Sequence, residues 1–150
     1  MALVVTLHLL AAVIWVGGMF FAYMALRPVA ASVLEPPQRL TLWAGVFGKF
    51  FPWVWASVAL ILLSGLHMLM VFGGMAAPHY AMTMLVLGVV MMAIFAHVFF
   101  APYGRLKRAV AAQDWKAGGA ALGQIRRLIG INLSLGLLTI AVVFLGRAFA

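Results

Sequence analysis

The sequence predicts an all-α integral membrane protein: a bundle of four antiparallel transmembrane helices with both termini on the outer side. Three observations predict it. Of the 150 residues, 67% are hydrophobic and only 8% are charged, whereas a soluble domain has about 25% charged residues. The apolar residues fall into four runs, each long enough to cross a bilayer at roughly 20 residues per crossing. The basic residues gather in two of the three connections between those runs. This composition excludes a disordered chain and an ordinary soluble enzyme. The absence of cysteine removes a disulfide scaffold and thiolate metal ligands.

The four runs are residues 3–26, 50–72, 79–100 and 128–146, and together they account for the chain as a single domain. Each satisfies its own backbone in lipid by forming a helix. The first is expected to be a retained helix rather than a removable signal peptide: it lacks a basic start, its apolar part is too long, and Arg27 follows it. The first connection carries Arg27, Arg39 and Lys49, and its segment Gln38 to Gly48 suits an interfacial helix. Pro52 is expected to begin or kink the second span. Trp53 and Trp55 belong at headgroup level. The second connection, residues 73–78, carries no charge. The third holds Arg105, Lys107, Arg108, Lys116, Arg126 and Arg127. It predicts a short basic helix over Tyr103 to Ala112, with Gly118-Gly119 breaking it from the next segment.

Charge sets the orientation. Ten Lys plus Arg stand against Asp114 and Glu35. Because the first and third connections hold most of that charge, the positive-inside rule places them in the cytoplasm. The termini and residues 73–78 then lie outside, in a multi-pass protein of a bacterial inner membrane. The expected partner of the basic loops is the anionic lipid of the bilayer rather than nucleic acid, since no basic domain of useful size exists outside the spans.

Polar groups inside spans are costly and therefore informative. His8 and His67 each lie five residues inside the outer end of a span, at roughly 7–8 Å depth. His79 opens the third span on the same side. Met70 follows His67 by three residues and Met82 follows His79 by three, so each pair shares a helix face. Met75 lies in the connection between them. Imidazole and thioether together suit copper, Cu(I) above all. The absence of a carboxylate in any span argues against zinc, iron or manganese carboxylate sites. Two histidines at equal depth also suit haem b, held from both faces by His8 and His67, with Trp15 lining the pocket. A scaffold in which the histidines only pack is the third reading. On the inner side, His97 is 18 residues after His79 and so shares its face, about 27 Å away. Asn132 in the fourth span lies at a depth where His97 could reach it. No nucleotide, hydrolase or metalloprotease motif is present, so any catalysis must come from a bound cofactor.

The run His8-Leu9-Leu10-Ala11-Ala12-Val13-Ile14-Trp15-Val16-Gly17-Gly18, followed by Leu26-Arg27-Pro28, resembles the opening of CopD-type copper-resistance membrane proteins. Ser64-Gly65, the stretch His97 to Arg108, Ile125-Arg126-Arg127 and Asn132 are similar too. The resemblance covers nearly the whole chain. It implies copper uptake or handling at the bacterial inner membrane, with a periplasmic copper carrier as partner. This chain resembles a short form, and four helices are few to enclose an ion path, so transport implies a homo-oligomer. A weaker similarity runs to HemJ-type protoporphyrinogen oxidases and four-helix b-type cytochromes, which implies haem on His8 and a second histidine.

Overall fold

The computed structural model describes residues 1–149. Four helices are long and apolar enough to cross a membrane. Helix α1 is Ala2–Val33 and α2 is Pro36–Val71. The third apolar stretch divides into α3, His79–Phe100, and α4, Pro102–Ala111. The last helix, α5, is Trp115–Ala148. Among the described residues there is no strand.

The four helices outrun the apolar runs because hydropathy marks hydrocarbon thickness, not the end of backbone pairing. The first helix continues past Leu26 to Val33. The segment Gln38 to Gly48 is not a separate interfacial helix: it is the first third of α2. Pro36 and Pro37 open that helix at positions whose N–H groups need no partner. Glu35 and Gln38 close a capping box there, with the Glu35 N–H donating to Gln38 Oε1 at 3.3 Å. Pro52 lies within α2, which runs on to Val71. Gly118-Gly119 does not break a helix either, being inside α5. The break falls earlier, where Gln113 takes a left-handed φ of 55° and Asp114 accepts from the Ala117 N–H. Pro102 ends α3 because its ring disfavours helical backbone at the preceding residue, and Ala101 sits at φ −109°, ψ −84°. The expected basic helix is thus α4.

The bundle is two helical hairpins. Helix α1 packs along α2, and α3 with α4 packs along α5. An aromatic seam joins them: Phe47 stacks on Phe51 at 4.9 Å, and Phe51 meets Phe95 edge-on at 5.3 Å and Tyr103 at 4.9 Å. Trp15, Met19, Ile125 and Leu133 complete this core. Close approach is needed where α1 meets α2, because a Cβ on Gly18 would overlap the Phe50 ring. Most of the apolar surface faces outward. Only 17–22% of the most apolar stretch of each long helix is buried, and Leu3, Leu63, Val86 and Phe144 all point away from the core. A soluble protein rarely exposes so much contiguous apolar surface.

Within α1, residues Ala22–Leu26 form a π-helical turn. The Arg27 N–H bonds the carbonyl of Ala22, five residues back. Pro28 has no N–H to give. The Tyr23 carbonyl is then taken by the Arg27 side chain, whose Nε donates to it at 3.2 Å.

Candidate functional site

His8 is the histidine that the fold holds most firmly. It is half-buried on α1, and its Nδ1 lies 2.8 Å from Ser64 Oγ on α2. The direction of this bond follows from the serine. Its hydroxyl has one hydrogen, and two carbonyls of its own helix, those of Leu60 and Ile61, stand ready to accept it. Ser64 Oγ therefore accepts, and His8 Nδ1–H donates. The Nε2 lone pair is left free. The ring edge rests over Gly65, whose missing Cβ would stand 3.6 Å from His8 Cε1. A metal-binding imidazole is held in this way, its other nitrogen donating to a fixed oxygen.

The remaining donors at this end lie further out. His67 and His79 are exposed, as are Met70 and Met75, at 71% and 86% of their surface. Met82 is half-buried. Among the described residues no three histidine or carboxylate side chains come close enough to hold one metal ion. His8, His67 and His79 share an end of the bundle without forming a cage.

Trp15 is buried in the core, edge-on to Phe95 at 6.2 Å. The cavity it lines is about 20 Å³, far below what a macrocycle fills. A larger cavity of about 300 Å³ lies at the opposite end of α1 and has no histidine in its wall. At the inner level, Asn132 is buried and its Nδ2 donates to the Met91 carbonyl at 3.2 Å. His97 is exposed and is not Asn132's partner. The five-turn spacing does give His79 and His97 one face, and that face points outward. Asn132 Oδ1 has no partner among the described residues and borders the small cavity.

Within this architecture the sequence profile described as copper resistance protein D matches residues 44–145. The chain belongs to the copper resistance protein D family. The match takes in Ser64, Gly65, His67, His79 and Asn132 and begins after His8. No curated protein and no solved structure matches the chain. As a member of the copper resistance protein D family, it is a multi-pass membrane protein related to copper resistance or transport.

In the sequence Ser64 enters only as part of the family resemblance, with no role of its own. A serine followed by a glycine one turn before a histidine is a weak signal, and nothing in the linear sequence says which α1 residue will face it. The π-helical turn had a partial signal in Arg27-Pro28, where the proline withholds an N–H.

Proposed function

We propose that the bundle crosses a bacterial inner membrane with its termini and residues 73–78 outside, and that it takes up Cu(I) at the His8 end. The observation that carries this reading is the His8–Ser64 hydrogen bond, which orients the imidazole; with Nδ1–H as its donor, Nε2 is free for a metal. Met70, Met75 and Met82 supply soft thioethers, and His67 and His79 supply further imidazoles. Being mostly exposed, these donors meet the ion first, where a periplasmic carrier delivers it, and His8 receives it from them. A homo-oligomer would supply the missing walls of a path.

The test is a competition titration of detergent-purified protein against a chromophoric Cu(I) chelator, with thermal unfolding followed on the same samples. His8→Ala is expected to weaken Cu(I) binding by tenfold or more, on the order of a lost ligand or its support. The pair Met70→Leu and Met82→Leu is expected to weaken it less while the fold survives. Unchanged affinity in His8→Ala removes the site. A visible spectrum of the same sample, with a Soret band and sharp reduced α and β bands, would instead establish haem on these histidines.

A further inference from the structure

A cavity of about 300 Å³ lies between α1, α2 and α5, about 28 Å along α1 from His8. Three arginines line it, one from each helix: Arg27, Arg39 and Arg126. Among the described residues the two acidic ones, Glu35 and Asp114, are not in its wall. Glu35 serves the capping box of α2, and Asp114 caps α5. Arg27 is also held in place. Its Nε is fixed on the Tyr23 carbonyl and its guanidinium stacks 4.3 Å from the Tyr23 ring centroid, so the Nη groups are the ones left to bind. Three fixed-charge, planar donors around one cavity match a phosphate, whose oxygens guanidinium binds in pairs.

The rest of the wall sets the second half of the ligand. Ala22, Phe47 and Ile129 line the cavity deeper along the same three helices. They lie five, eight and three residues beyond the corresponding arginines, or roughly 7, 12 and 4 Å. Ala31, Pro36 and Leu122 line it on the other side of the arginines, so the three basic residues sit within a largely apolar wall. Trp43 and Trp115 also line the cavity, and their rings favour a boundary between wet and apolar surroundings. A volume of about 300 Å³ with three arginines set in an apolar wall fits an amphiphile better than a free ion.

We propose that this cavity binds the phosphate of an anionic glycerophospholipid between Arg27, Arg39 and Arg126, with part of an acyl chain against Phe47 and Ile129. The inference rests on the bilayer reading but not on the copper reading, whose residues lie at the other end of α1. The lipid is a structural ligand that ties α1, α2 and α5 together.

The experiment is thermal unfolding of delipidated protein in a neutral detergent, titrated separately with phosphatidylglycerol, phosphatidylcholine and inorganic phosphate. Phosphatidylglycerol at a hundredfold excess over its Kd is expected to raise Tm by roughly 5–10 °C. Phosphatidylcholine and inorganic phosphate are expected to give no comparable shift. The triple variant Arg27→Gln, Arg39→Gln, Arg126→Gln should lose the shift. The variant Lys49→Gln, Arg108→Gln, Lys116→Gln removes the same charge from exposed positions outside the cavity and should keep it. Equal loss in both variants, or an equal shift with phosphatidylcholine, overturns the proposal. A full shift from inorganic phosphate alone overturns the lipid and assigns a soluble phosphate compound. Should the triple variant not fold, Arg126→Gln alone, at an exposed position, is expected to raise the lipid Kd roughly tenfold or more. An unchanged Kd overturns the proposal as well.

Discussion

Ser64 accepts a hydrogen bond from His8 Nδ1 at 2.8 Å while giving its own hydrogen to a carbonyl of its own helix, that of Leu60 or Ile61. The relationship joins α1 to α2 and decides which imidazole nitrogen is free. Ser64→Ala removes the acceptor and lets the ring rotate and change tautomer. We expect Cu(I) affinity to fall by about 10–100-fold, as when a metal ligand loses its supporting oxygen. Stability should fall by only about 0.6 kcal/mol, the average for an interhelical side-chain hydrogen bond in a membrane. Chelator competition and thermal unfolding read the two effects separately. A variant that loses stability but keeps its affinity would make the serine a packing residue.

Adjacent glycines of α1 are expected to respond with opposite sign. A Cβ on Gly18 would overlap the Phe50 ring, whereas nothing lies within 4 Å of one on Gly17. Gly18→Ala should therefore cost about 1–3 kcal/mol, as overpacking does. Gly17→Ala should stabilise by up to about 1 kcal/mol through helix propensity. Unfolding of the two variants in the same detergent checks this, and equal effects would mean that the α1–α2 contact is looser than described.

Asn132 bonds the Met91 carbonyl and His97 faces outward. Asn132→Ala is expected to cost about 0.6–1.7 kcal/mol, and His97→Ala about 0.5 kcal/mol or less. A double-mutant cycle between the two should give a coupling near zero. A coupling above about 0.5 kcal/mol would mean that the residues meet after all.

Much of the architecture was legible because hydropathy and charge act over whole segments. The runs at residues 3–26, 79–100 and 128–146 each fall within one long helix, and that at 50–72 overruns its helix only by Phe72. What hydropathy could not give is where pairing stops, so Val33 and the joining of Gln38–Gly48 to α2 went unread. Gly118-Gly119 looked like a stop, yet Gly118 is buried where a Cβ would stand 3.1 Å from Leu40. There the missing side chain serves helix contact rather than chain flexibility. At the candidate site, counting residues gave positions along each helix but not the rotation of each helix about its axis. His8 turns toward Ser64 and His67 turns outward. The basic cavity escaped notice because its three arginines are 12 and 87 positions apart in the chain, and only the meeting of α1, α2 and α5 brings them to one wall.

The π-helical turn at Ala22–Leu26 bears on how this chain tolerates change in length. Its bond spans five residues rather than four, so the turn holds about one residue more than a regular one. Deleting a residue there would restore an ordinary turn and leave the flanking faces in phase. Deleting one elsewhere between His8 and Arg27 would rotate one end of α1 by about 100° against the other. The helix thus carries a spare residue at a single place, and only there can its length vary without turning His8 away from Ser64.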